Sequence, residues 1–251
     1  MTTENPDGLI GWPGDSIVSP LGDVKLRVLP GTHPVLDENG EAITRNWHSE
    51  ITANPALFDG RMIFNFRASL EDGVLHAEGY VTPFSAFIWW RRQMPRSGGV
   101  HISAYAAIET ADGALVAIRM GAHTANAGQV YFAAGSFEPE DVIDGYCDVA
   151  SNMRREVLEE TGLDLASATI ASDYHASHQG PVVTIFRLFR FDLTAEQMIE
   201  RIKAHMQVAE DKEIAGAVAI WSADPDAQPY HSSMLPVLGW YFDKARNVGL
   251  R

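Results

Sequence analysis

Residues 155–163 read Arg155-Glu156-Val157-Leu158-Glu159-Glu160-Thr161-Gly162-Leu163. On a helix Glu156, Glu159 and Glu160 stand at i, i+3 and i+4, so three carboxylates share one face. Like charges so placed repel, and a helix keeps them together where something cationic sits. The opposite side carries Val149, Met153 and Val157, which buries the helix and fixes the acidic face. Gly162 is the expected C-cap, directly after the acids, and Asp148 the expected N-cap. Three hard oxygen donors on a rigid element suit Mg2+, with Mn2+ as the alternative; magnesium keeps waters and is shared with substrate phosphates. Arg155 is placed to pair with a carboxylate and hold its rotamer, or to meet a phosphate as a fork. A solvated acidic helix with a surface arginine is the plainer alternative. It does not account for three acids gathered opposite a packed seam.

Outward from this helix, the chain reads as strands, helix, strands, helix. Ala104–Glu109 and Ala114–Arg119 form a hairpin about the Ala-Asp-Gly turn at 111–113. Val130–Ala133 is a short strand, Val182–Phe191 a long β-rich run and Ala215–Trp221 a final strand. Thr194-Ala-Glu-Gln197 has the form of a capping box opening an amphipathic helix, with Met198, Ile202 and Met206 spaced by four. Such an order predicts a layered α/β fold with a mixed sheet. Before it, to about Met94, Gly and Pro punctuate short strand-like runs at Val24–Val28, Met62–Phe66 and Val74–Val81, with turns at Asp37-Glu-Asn-Gly40 and Glu71-Asp-Gly73. Thr82-Pro83 reads as an N-cap and first helical position, and the aromatics after it as core, with stacking of Trp89 or Trp90 on a planar ligand as the alternative. Pro95-Arg-Ser-Gly-Gly99 is the best boundary. The division expected is a β-rich N-terminal region over 1–97 for substrate recognition or dimerisation, a catalytic domain over 98–225 and a helical tail over 226–251. The tail either packs as a terminal helix or joins a homodimer interface.

Segment 155–163 matches R-E-U-x-E-E-x-G-U (U aliphatic) at every fixed position and so resembles the box of the Nudix hydrolases. A chance match in a chain this long is on the order of one in 10⁵. The resemblance implies an α/β/α sandwich over about Val100 to Asp224. It implies an enzyme that cleaves a nucleoside diphosphate linked to another moiety, by attack of water on phosphorus. By resemblance the metal ligands fall on Glu156, Glu159, Glu160 and the carbonyl of Ala134, and the catalytic set on Arg155, Glu159 and Glu160. The family's longer pattern breaks here. Gly135 is similar to its glycine, but the position of its first glutamate falls on Cys147. An insertion of six residues explains the break, and Asp141 then stands for that carboxylate. The general base falls on a box glutamate or on a later loop acid, Glu213 within Glu210-Asp-Lys-Glu213; an ordinary charged loop is the alternative there. Arg119 and His123 are candidate phosphate contacts, as are His175 and His178, each of which reads equally as structural. Cys147 at a helix start invites a lowered pKa, but no base neighbours it in sequence. Asn54-Pro-Ala-Leu-Phe-Asp-Gly60 resembles a segment of Nudix enzymes acting on UDP-sugars, which favours that substrate slightly over ADP-ribose, NADH or coenzyme A.

Composition excludes other classes. The chain has 251 residues, 46% hydrophobic, with one cysteine and a formal charge of −14. The apolar content rules out a disordered tail protein. One cysteine rules out a disulfide framework and fits a reducing compartment. The acidic balance disfavours nucleic acid and anionic membrane as partners, and an anionic substrate then requires recruited cations. The start, MTTENPDGLIGWPGD, has no basic n-region or apolar core, and the longest nearly apolar run, Tyr80 to Trp90, is too short to span a bilayer. A cytoplasmic enzyme is the expectation. A non-catalytic Nudix-like sensor of a nucleotide sugar or ADP-ribose derivative is the second reading.

Overall fold

The chain pairs its early strands around one long antiparallel hairpin. The structure is a computed structural model that describes residues 8–209 and 212–248. The first half runs β1 (Leu9–Ile10), β2 (Ser19–Leu21), β3 (Asp23–Val28), α1 (Pro34–Ala53), β4 (Arg61–Glu71), β5 (Val74–Pro83) and α2 (Phe84–Arg91). The three strand runs read from sequence lie in β3, β4 and β5. The turn expected at Asp37–Gly40 is instead inside α1. His33 caps this helix by accepting from the Val35 amide at 3.1 Å, Pro34 follows in the first turn, and Val35 and Ile43 are buried. Packing thus overrides turn propensity. Asn39 keeps a trace of it, leaving helical geometry (φ −129°, ψ 15°) to kink the helix. The Thr82 cap is also corrected. Its hydroxyl donates to Tyr80 O at 3.1 Å, and α2 is capped from elsewhere, the Ser85 amide donating to Asp59 Oδ1 at 2.7 Å.

The second half runs β6 (His101–Glu109), β7 (Leu115–Met120), β8 (Val130–Tyr131), β9 (Val142–Ile143), β10 (Tyr146–Cys147), α3 (Val149–Thr161), β11 (Thr169–Ile170), β12 (Tyr174–Gln179), β13 (Val182–Arg190), α4 (Ala195–Val208), β14 (Ile214–Ile220) and α5 (Met234–Val248). The capping box at Thr194–Gln197 is present, and Met198 and Ile202 are fully buried. The tail expected as a helix is α5, with Leu238 buried and Trp240 against His175 and Phe186 (ring centroids 4.5 and 5.0 Å). Leu235 points outward.

Two mixed sheets result, and the α/β fold class read from the sequence is borne out. One has order β1-β4-β5-β3-β10-β9; the other has order β14-β7-β6-β13-β12-β2, with β8 on β7 and β11 on β13. In the second sheet β6 and β13 run parallel, His101 opposite Val182 through Glu109 opposite Arg190. Strands are exchanged across residues 95–99. β2 joins the second sheet at its edge through Tyr174–Leu21, and the β9–β10 hairpin joins the first through Tyr146–Arg27. One core runs through both, from Leu26 and Leu75 to Ile102, Met153 and Ile185, and a smaller one packs Val35, Phe64 and Trp90 under α1 and α2. Among the described residues no helix is long and apolar enough to cross a membrane.

Candidate active site

Helix α3 is held at three points before it meets anything else. Asp148 Oδ1 accepts from the Ser151 amide at 3.0 Å, as expected of the N-cap. Gly162 (φ 69°) supplies the left-handed C-cap, a conformation that costs a residue with a Cβ. Val149, Met153 and Val157 are buried on the packed side. The acids are therefore aimed, but not all alike. Glu156 and Glu160 face a cleft of about 590 Å³ that also takes in Glu138 and Glu213. Glu159 does not line it. Its side chain is 60% exposed against 10% for Glu156. Four residues turn a helix by 40° past a full circle, whereas three leave it 60° short, which sets Glu159 on the rim.

Arg155 binds these acids together. It donates through Nη2 to Asp141 Oδ2 at 3.0 Å and pairs through Nη1 with Glu156 Oε1 at 2.8 Å and Glu159 Oε2 at 3.3 Å. Partial burial works against its charge, but the bond to Asp141 and the charges of Glu156 and Asp141 outweigh it and hold its pKa above the ordinary value. Asp141 is itself buried, accepting also from Asn152 Nδ2 at 3.0 Å and the Glu138 amide at 2.9 Å. Asp141 is thus a strut behind Arg155, and the structure does not place it in the cleft.

Burial, then the charge of Glu159, pushes Glu156 up to about 8 against the pull of Arg155. Burial also raises Glu160 well above the carboxylate range, followed by the charges of Glu156 and Glu213, with the Ala134 amide opposing. Glu160 Oε2 is buried and has no hydrogen-bond partner. Gly135 makes room for this arrangement, since a Cβ there would run into the Glu156 carboxylate. Ala134 lines the cleft beside it. Glu156 and Glu160 thus present oxygen donors able to hold a hard cation. Among the described residues, no three His, Cys, Asp or Glu side chains already converge on one point.

The remaining sequence candidates divide. His123 lines the cleft, and its carbonyl accepts from Asn54 Nδ2 at 2.7 Å. Residues Ala56, Leu57, Phe58 and Gly60 of the 54–60 segment line it too. Arg119 does not; it donates to Gln228 Oε1 at 2.6 Å and to Gly128 O at 3.3 Å. His178 is structural, bonding Pro13 O at 2.7 Å, and His175 stacks on Phe186. Cys147 is buried, and burial with the nearby Asp141 pushes its thiol up to about 12, opposite to the lowering its helix-start position suggested. Glu210 lies outside the described residues. Sequence reasoning missed Glu138 and a group of cleft arginines, Arg91 and Arg96. Their signal was basic residues clustered in an acidic chain, masked by the aromatic run before them.

No protein-family model matches the chain, and no curated protein does. Solved structures to which it is similar include the following. A MutT protein from Methanosarcina mazei Go1 is 18% identical, with 61% of this chain and 96% of that chain covered (TM-score 0.38). A C. elegans Ap4A hydrolase, in a binary complex, is 14% identical over 59% and 99% (TM-score 0.43). The NUDIX domain of Shewanella oneidensis NrtR, complexed with ADP ribose, is 13% identical over 59% and 88% (TM-score 0.40).

Proposed function

We propose that the cleft hydrolyses the diphosphate bond of a nucleoside diphosphate linked to another moiety, of the UDP-sugar or ADP-ribose type, with Mg2+ or Mn2+ as cofactor. One observation carries this reading. Two buried carboxylates, Glu156 and Glu160, are crowded into one cleft wall, and Glu160 Oε2 has no partner. Such crowding costs stability unless a cation occupies the site. The resemblance of residues 155–163 to the Nudix box supports the same reading.

Glu156 and Glu160 would hold the ion, with the Ala134 carbonyl as a further donor. A divalent ion bound there neutralises the diphosphate and lowers the pKa of water. Arg155 keeps the Glu156 carboxylate in its rotamer while Asp141 keeps Arg155 in place. Glu213, across the cleft, takes the proton of the attacking water. The water oxygen bonds to one phosphorus, the bridging P–O bond breaks, and the second phosphate leaves. His123 and the 54–60 segment contact the substrate beyond the diphosphate. The same cleft in a reducing, cytoplasmic setting fits the unpaired Cys147.

A second reading, a non-catalytic sensor binding the same class of ligand, is favoured by the rim position of Glu159 and its pairing with Arg155. The experiment is incubation with Mg2+ and UDP-glucose, ADP-ribose, NADH and coenzyme A, with products identified by mass. A nucleoside monophosphate plus a phosphorylated partner is expected from wild type and not from Glu160→Gln. Binding without cleavage of any member, in Mg2+ or Mn2+, would establish the sensor instead.

A further inference from the structure

The cleft has a second pole. Arg91 ends α2 and Arg96 follows in the connection to β6. Both line the 590 Å³ cleft and also a neighbouring cavity of about 570 Å³. Arg96 Nε donates to Arg91 O at 3.0 Å. Arg91 Nη2 donates to Ala125 O at 3.2 Å and Asn126 Oδ1 at 3.3 Å, which are neutral acceptors. The two guanidinium carbons lie 6.0 and 5.8 Å from the Phe87 and Trp90 ring centroids. Among the described residues neither arginine has an ion-pair partner, while their neighbour Arg92 takes Glu50. A chain of formal charge −14 therefore keeps two cations, one of them largely desolvated, outside any direct ion pair; the carboxylate acting on Arg91, that of Glu50, is already taken by Arg92.

Their charge is felt locally. Burial lowers Arg91, and after it the charges of Arg92 and Arg96 do; Arg91 and Arg96 in turn help to lower His231, below burial in effect. Tyr131 stands between the poles. Its hydroxyl accepts from Asn126 Nδ2 at 3.3 Å on the arginine side, and Glu160 and Glu213 act on it from the other. With Tyr131 between the poles, a diphosphate at the acidic one leaves Arg91 and Arg96 unsatisfied, and paired guanidinium forks suit an oxyanion.

We propose that Arg91 and Arg96 form a separate anion subsite that binds a phosphate monoester or carboxylate carried by the substrate away from its diphosphate. The subsite rests on reading the acidic pole as the place of cleavage. It makes the preferred substrate one with a third anionic group.

The test uses matched pairs that differ only in that group: NADP+ against NAD+, coenzyme A against 3′-dephospho-coenzyme A, and UDP-glucuronate against UDP-glucose. Dissociation constants are read from tryptophan fluorescence with Mg2+ present and chelated, and products by mass. Wild type is expected to favour the more anionic member of at least one pair by about tenfold, as for a charged hydrogen bond. Arg91→Gln and Arg96→Gln should each bring that ratio near one, and Arg96→Lys should restore part of it. A response to the first two pairs identifies a phosphate, and to the third a carboxylate. A wild-type ratio of one in all three pairs, or a ratio that survives the substitutions, overturns the subsite. Should Arg91→Gln fail to fold, the Arg96 variants decide. A ratio that persists where nothing is cleaved removes the hydrolase reading and keeps the subsite as a recognition site; cleavage without any ratio does the reverse.

Discussion

Glu160 is the residue whose replacement separates function from stability. Its carboxylate is buried beside Glu156 with one oxygen unpartnered. Glu160→Gln removes an acid whose charged form the fold disfavours. The metal-free variant is expected to melt a few degrees above wild type, since about 1 kcal/mol moves a domain this size by roughly 2–4 °C. Turnover should fall by about a hundredfold or more, and Mg2+ should raise the melting temperature of wild type but not of the variant. Calorimetry and product mass check both halves. Glu159→Gln, on the exposed rim, should lose much less. A second expectation concerns Cys147. With its thiol near 12 and buried, it should resist iodoacetamide at pH 8 until the protein unfolds, and Cys147→Ser should keep full activity. A dead but folded Cys147→Ser would return the cysteine to the reaction.

At the scale of elements, α3 is positioned by a strut and α2 by a borrowed cap. Asp141→Ala would take one of three carboxylate partners from Arg155 and leave the Glu138 amide and Asn152 Nδ2 without their acceptor, with an expected loss of about 2–3 kcal/mol in urea melts. Asp59→Ala removes the acceptor for the Ser85 amide. It should cost about 1 kcal/mol and raise KM, because its neighbours Ala56, Leu57, Phe58 and Gly60 line the cleft. These two residues show where sequence reading stops. Helix α3, its caps and its buried side were legible because periodicity and local capping encode them within fifteen residues. The acidic face was legible in kind but not in its division between cleft and rim. Asp141 was legible as an acid near the site but not as a strut, since its partners Asn152 and Arg155 lie on a different element. The α1 helix was hidden because Asp37-Glu-Asn-Gly40 carries turn chemistry, while the forces that overrule it, the burial of Val35 and Ile43, are tertiary.

Across the whole molecule, His101 joins the halves. It opens β6 and stacks on Phe87 of α2 at 4.4 Å. Burial, and then the charges of His231, Arg91 and Arg96, push it down to about 3. An imidazole that is neutral in the fold and takes a proton near 6.5 when unfolded stabilises above that pH. Its contribution is lost as pH falls from about 6.5 toward 3. Wild type should therefore lose stability through this window more steeply than His101→Phe, which keeps the ring and removes the proton site. Parallel acid melts would show no difference if His101 is protonated in the fold.

The exchange of β2 for the β9–β10 hairpin has a consequence for how such a protein can change over time. Each half finishes the other's sheet, so neither half is a module that recombination could carry alone. A chimera joined at residues 95–99 would inherit two unfinished edges, each open to pairing with a foreign chain. New substrate preference in this lineage must then come by substitution along the cleft, one side chain after another, rather than by trading one recognition half for another.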